Sequence, residues 1–408
     1  MPRPERVAVI FGGRSVEHEV SVITGHQVMD ALEVVGFDVL PVYISKVGEW
    51  YAGRPLHNLR LYADRNLDFA RIRDIYRVSL SPDRAIRELV ASPQAGGRLF
   101  GRTPDLWADV FFPTVHGSHG EDGTLQGLFE LADVPYTGAG LLASAIAMDK
   151  VQTKALCRAA GLPVIDCLTV TRDAWSAGSD AFVARAAEFC GYPAMVKPVT
   201  LGSSIGVVRC ADAGALRQAV EAGLVLDERV LVERALSDFL EINCSVLGPP
   251  IRTSVCEQPV STSTLLSFDD KYRRGAKAAR KLAPNPTGAR GLGVTGKAGM
   301  AGQERLIPAP IADELTVRVQ SMAMQAFEVI GAAGVARVDF LYEPDADALY
   351  VNEVNTVPGS LAFYLWEATG VPFDVLVTEL VRIATARHQA RSATQVVFDA
   401  NLLAPPKS

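Results

Sequence analysis

Little in this 408-residue chain supports thiolate-metal or disulfide chemistry. Its six cysteines (Cys157, Cys167, Cys190, Cys210, Cys244 and Cys256) are scattered, with no Cys-x-x-Cys pair and no paired histidine spacing. That pattern leaves no basis for a disulfide framework or a zinc site, and fits reduced, mostly buried thiols in a cytoplasmic protein. A basic excess is also missing. Lys and Arg total 40 against 46 Asp and Glu, a net charge of −6, which argues against nucleic acid as a main partner. No apolar run is long enough to span a bilayer, so no membrane partner is expected. Met1-Pro2-Arg3-Pro4-Glu5-Arg6 leads straight into Val7–Phe11 without the apolar core of a signal peptide. Internal repeats and coiled-coil heptads are absent too.

What is present is ordinary globular composition, 49% hydrophobic and 21% charged. The chain is too long for one core, so two or three domains are expected. Val7–Phe11 reads as a buried strand, Gly12-Gly13-Arg14-Ser15 as a turn, and about Glu19 to Val34 as a helix with apolar residues at helical spacing. Val39–Ile44 and Ala108–Val115 are further strands. Strand, glycine turn and helix in series mean a parallel α/β layer with ligands at the strand C-terminal ends. The stretch from about Arg54 to Thr103 is less regular and reads as an elaborated connection. The first unit is taken as 1–138 and a central α+β unit as 139–236. The central unit contains a helix over Leu141–Ala160, a strand ending on Lys197, and the loop Leu201–Val207. A third unit spans 237–408. Within it, Lys271–Arg305 carries nine basic residues, one acid and seven glycines, a composition that reads as a phosphate-attracting loop.

The richest stretch is Arg337–Asn355. Two β-rich runs flank Glu343-Pro344-Asp345-Ala346-Asp347-Ala348, which is turn chemistry, so the pattern is a hairpin. Side chains alternate along a strand, which puts Arg337 and Asp339 on one face and Glu353 and Asn355 on one face of the partner. Two carboxylates, an amide and a guanidinium make an oxygen-rich nest suited to Mg²⁺. Gly202-Ser203-Ser204-Ile205-Gly206 could cradle phosphate, although no Gly-Lys-Ser/Thr follows as in a P-loop. Lys150 and Lys197 around that loop would form a cationic cradle for a nucleotide. Glu233 and Glu241 flank a connection where carboxylates can accept from ribose or adenine. Glu17 and Glu19 suit the start of a helix, and His116 lies at a strand end among glycines.

Taken in order, these runs resemble the D-alanine–D-alanine ligase family. The resemblance rests on Gly12–Ser21, His116-Gly117 with Gly120–Gly127, Tyr136–Gly140, Met148-Asp149-Lys150, Val196-Lys197-Pro198, Gly202–Gly206, Arg337-Val338-Asp339 and Asn352–Gly359. It runs from residue 5 to residue 385. It implies an N-terminal parallel α/β domain (pre-ATP-grasp) followed by a two-subdomain ATP-grasp fold, usually a homodimer. The implied reaction uses ATP to phosphorylate one D-alanine and join it to a second, for peptidoglycan precursors. Glu17, Ser203, Tyr272, Arg337 and the amide of Gly359 match catalytic positions, and His116 and Ser360 match substrate-binding ones. Lys150, Lys197, Ser204, Glu233, Ala235, Leu236, Glu241 and Lys271 match ATP-binding positions. Asp339, Glu353 and Asn355 match ligands of two Mg²⁺ ions, with Mn²⁺ possible. Tyr272 where the D-lactate-adding ligases carry His implies an amine acceptor. The chain differs from compact members in its long basic loop, in lacking Thr/Ser-rich residues after Pro358-Gly359, and in a tail after Thr385. The alternatives are a ligase of this fold with another amino or hydroxy acid acceptor, and a non-catalytic nucleotide-binding protein.

Overall fold

The computed structural model describes residues 5–64, 67–92, 105–260 and 305–396. Three sheets follow one another along the chain. In the first, β1 (Arg6–Gly12) lies between β2 (Asp38–Ile44) and β6 (Val110–Pro113), both parallel to it. Val7 to Phe11 are fully buried, as expected of a central strand covered on both faces. Helix α1 (His18–Val34) covers one face and α2 (Thr124–Ala132) the other. The sheet is mixed rather than purely parallel. Strands β3 (Trp50–Ala52), β4 (Tyr76–Leu80) and β5 (Leu89–Ala91) extend it as an antiparallel meander. Two of them come from the segment read as irregular. Their signal is short: in β4 Val78 and Leu80 are buried and Tyr76 half-buried on the same face, with Arg77 and Ser79 exposed between the three.

The second sheet has the order β7-β10-β8-β9 and is antiparallel throughout. It comprises β7 (Cys167–Thr171), β8 (Ala194–Pro198), β9 (Val208–Cys210) and β10 (Arg229–Arg234), packed on α5 (Arg172–Cys190) and α6 (Ala213–Leu226). The helix expected over Leu141–Ala160 is two: α3 (Leu141–Met148) and α4 (Lys150–Ala159). Asp149 divides them with extended backbone, and its Oδ1 accepts from the N–H groups of Val151 and Gln152, so it caps the second helix. That break starts α4 on Lys150.

The third sheet, β13-β12-β11-β14-β15, is also antiparallel. Its strands are β11 (Leu240–Gly248), β12 (Arg252–Pro259), β13 (Arg305–Leu306), β14 (Gly334–Glu343) and β15 (Ala348–Asn355), backed by α7 (Asp313–Val329) together with α3 and α4. The expected hairpin is β14–β15, turned at Pro344–Ala346 with Asp347 in the left-handed region. The chain then folds back. Helices α8 (Phe363–Ala368) and α9 (Phe373–Ser392) enter the core under α1, where Leu376, Leu380 and Ile383 join Val28, Met29 and Leu32. The six cysteines are free thiols, four of them buried. Among the described residues no helix is long and apolar enough to cross a membrane.

Candidate active site

Two adjoining cavities lie where the three sheets meet. The first spans about 750 Å³, part of it open to solvent, and is lined by Glu17, His116, Glu121, Ser203, Arg337 and Gly359, among others. The second spans about 810 Å³, likewise partly open, between the second and third sheets, with Lys197, Ser204, Glu233, Leu236, Glu241 and Asp339 in its walls. Lys150, Leu201 and Glu353 line both, so a group bound in one can touch a group bound in the other.

At one end, Glu17 immediately precedes α1 and its carboxylate accepts from the Ser203 hydroxyl. A turn of the first unit is thereby joined to the glycine-serine loop, where Ser203 and Ser204 have φ of +54° and +59°. Gly117, at φ +71°, passes so close that a Cβ there would stand 2.7 Å from Glu17 Oε2. His116 is buried, and burial lowers its pKa to about 4, against a backbone hydrogen bond to Val357 that favours the charged form. It is a neutral imidazole at neutral pH, 2.9 Å through Nε2 from the Thr24 hydroxyl. Glu121 accepts from Gly117 N–H and from Val357 N–H, each at 2.8 Å. Burial, then the charge of Glu17, pushes its carboxyl up to about 8. Sequence reading quoted Glu121 within a motif and gave it no role.

In the second cavity Glu233 is 1% exposed. Its two carboxylate oxygens lie 2.6 Å from Lys197 Nζ and 2.8 Å from Lys154 Nζ. Burial alone would lower the Lys197 pKa, but Glu233 reverses the sign and holds it raised. Among the described residues Lys150 has no carboxylate so close. Its Nζ donates to Leu201 O at 2.5 Å, and burial keeps its pKa below the usual lysine range. Lys154 was missed in the sequence, although it stands one helical turn beyond Lys150. Asn352 was missed as well: it sits at a bulge opposite Asp339 and Phe340 and accepts from Lys197 at 3.1 Å. Ala235 and Leu236 line the cleft beyond β10, with Ala235 N–H donating to Pro193 O. Arg234 ties this edge to the hairpin through a bidentate pair with Glu343, at 2.9 and 2.6 Å.

The hairpin register pairs Arg337 with Asn355 and Asp339 with Glu353. Arg337 grips Asp339 through Nε at 2.6 Å and Nη2 at 2.7 Å, and Asn355 donates to Asp339 at 3.0 Å. Burial opposes the Arg337 charge, but Asp339 holds its pKa well above the ordinary value. Arg337 lines the first cavity, and its Nη1 is buried and makes no hydrogen bond of normal geometry among the described residues. Asp339, Glu353 and Asn355 offer hard oxygen donors at the junction of the cavities. Among the described residues no three His, Cys, Asp or Glu side chains form a cage by themselves. A set of two carboxylates and an amide fits Mg²⁺, which takes few protein ligands and completes its shell with phosphate oxygens and water. Gly359 reaches the first cavity, while Ser360 beside it is buried with its N–H toward Thr24. Lys271 and Tyr272 lie outside the described residues, as do most of the basic loop and the end of the tail.

Comparison with known proteins finds one family along most of the chain. The D-ala D-ala ligase N-terminus model matches residues 6–139, and the C-terminus model matches 156–286 and 298–382. A D-alanine–D-alanine ligase of Heliobacterium modesticaldum is 36% identical over 96% of this chain and 98% of its own length. One from Geobacillus thermodenitrificans is 33% identical over 97% and 99%. Among solved structures, the D-alanine-D-alanine ligase of Coxiella burnetii superposes with a TM-score of 0.74 at 26% identity, over 95% of this chain and 96% of that one. The VanG D-Ala:D-Ser ligase of Enterococcus faecalis gives 0.73 at 27%, over 94% and 100%.

Proposed function

The chain belongs to the D-alanine–D-alanine ligase family, and from that premise we propose how its own residues share the work. It is an ATP-dependent ligase that joins two D-alanines for cell-wall synthesis. We assign the first cavity to the alanines and the second to ATP, with the units divided at 1–138, 139–236 and 237–408.

In the first step a carboxylate oxygen of the donor D-alanine attacks the γ-phosphorus. The bond to the β-phosphate oxygen breaks, giving an acyl phosphate and ADP. Glu17 holds the donor's ammonium. Lys150 and Lys197 hold the phosphates with Ser204 and Lys271, and Glu233, Ala235, Leu236 and Glu241 contact the nucleoside. Asp339, Glu353 and Asn355 would hold two Mg²⁺ ions, which when bound neutralise charge on the transferring phosphoryl group. In the second step the amine of the acceptor D-alanine attacks the acyl carbon. Phosphate leaves with the acyl C–O bonding pair and takes up the proton that the nitrogen gives up. Arg337 Nη1 and the Gly359 amide stabilise the developing oxyanion. Ser360 binds on the acceptor side. Tyr272, which lies outside the described residues, is assigned with Ser203 and Glu17 to the choice of an amine acceptor. The active species is a homodimer.

The observation that carries this reading is the junction. Lys150 and Glu353 belong to both cavities, so an ammonium site at Glu17 and a phosphate site at Lys197 share a wall. The test is ADP release in the presence of D-alanine, D-serine, D-lactate or L-alanine. Release dependent on D-alanine, and largest with it, is expected. Faster turnover with another acceptor would reassign the specificity, and ATP binding without turnover would leave only a nucleotide-binding protein.

A further inference from the structure

The segment that leaves β15 carries the Gly359 amide, yet its backbone is held by groups of the first unit. Val357 N–H donates to Glu121, and His116 hydrogen-bonds the backbone of the same residue. Ser360 N–H lies 3.3 Å from Thr24 Oγ1, which is fully buried in α1. Thr24 has one hydroxyl proton. Its oxygen accepts from Ser360, and the other ring nitrogen of His116 serves Val357, so the Thr24 proton is donated to His116 Nε2.

The turn so held does not sit in a conformation of its own preference. Ser360, Leu361 and Ala362 have φ of +53°, +53° and +50°, a left-handed run that L residues avoid. Leu361 is anchored in the core beside Phe363 and Trp366. On the polar side of this turn, the described contact is Thr24. A hydroxyl on the first helix therefore fixes the amide geometry of a loop 336 residues away.

We propose that Thr24 is a positioning residue for the second half-reaction, setting the Gly359–Ala362 turn on which the acceptor D-alanine rests, while Glu121 fixes the start of the same loop. Thr24 touches no substrate; it acts through Ser360 and His116. This rests on the ligase reading above.

The test uses the full chain with Thr24→Val, which keeps the shape and removes the hydroxyl, and Thr24→Ser, which keeps the hydroxyl. Two readouts are taken: steady-state kinetics, and amide hydrogen exchange of residues 355–363 without ligands. Thr24→Val is expected to raise the KM for the acceptor D-alanine about tenfold with the KM for ATP unchanged, and to speed exchange in that segment. Thr24→Ser is expected to restore both; Thr24→Ala is read in the same way should the valine variant fail to fold. Unchanged exchange, an equal loss for ATP and both alanines, or failure of serine to rescue would overturn the proposal. Absence of D-alanine-dependent turnover in the unaltered protein would instead strike the ligase reading, and exchange would still decide whether Thr24 holds the turn.

Discussion

Glu233 is a carboxylate whose buried charge is sustained by two ammonium groups. Removing one of them unbalances the site. Lys154→Met should cost on the order of 3 kcal/mol, because a buried pair is broken on one side only. It should also raise the KM for ATP by freeing Glu233 to pull on Lys197; thermal unfolding and ATP titration check both. Gly117 permits no side chain, so Gly117→Ala should drive a methyl onto Glu17 and raise the donor KM at least tenfold, with the KM for ATP little changed. His116 sets a pH dependence whose sign follows from its lowered pKa. Between about pH 6.5 and 4 the unfolded chain takes up a proton that the native imidazole refuses, so its contribution to stability is complete above 6.5 and shrinks as pH falls toward 4. The melting temperature should drop over that window, and less steeply in His116→Gln. Lys150, Lys197, Glu233 and the hairpin acids, singled out in the sequence for their chemistry, line the two cavities. Thr24 was not readable, because its partners are 92 and 336 residues away and nothing beside it marks a site.

At the scale of elements, alternation along Arg337–Asn355 was enough to find the hairpin and the face bearing its polar groups. It could not find the bulge beside Asp339, since a bulge breaks the period on which the reading depends. The bulge is what lets Asn352 reach Lys197. Apolar spacing likewise read α3 and α4 as one helix, because it does not register where a side chain caps. Asp149 caps α4 and pairs with Arg229 from β10. Asp149→Ala should therefore lose about 1 kcal/mol from the cap and loosen the first turn that carries Lys150. A lower melting temperature with a raised KM for ATP is the expected outcome. An unchanged KM would mean that Lys150 is held by Leu201 alone. The meander β3–β5 went unseen for another reason: short one-sided strands offer too few inward residues to stand out from a polar connection.

Across the whole molecule, the sequence order of the sheets was legible and their sharing of cores was not. One hydrophobic cluster runs from Val7 and Val28 to Leu376 and Ile383, so the first and last parts of the chain pack together. Gly334, at φ +74°, lets β14 begin hard against Gly138, since a Cβ on Gly334 would stand 2.8 Å from the Gly138 Cα. With the second cavity, between the second and third sheets, assigned to ATP, binding should brace them together. Saturation at about 100 times Kd should add about 2.7 kcal/mol of stability, seen as a raised melting temperature that Lys197→Met removes.

The seating of α9 against α1 has a consequence for how the molecule is made. The first sheet and α1 leave the ribosome before α9 is made, so the part of α1 that α9 covers is still open. At about 5–20 residues per second the nascent chain carries that open face for tens of seconds. That part of α1 is then a sticky surface in waiting, and a natural one for a chaperone to shield. A chain cut short before Phe373 would keep every residue of the site described above and still be without the helix that closes its first core.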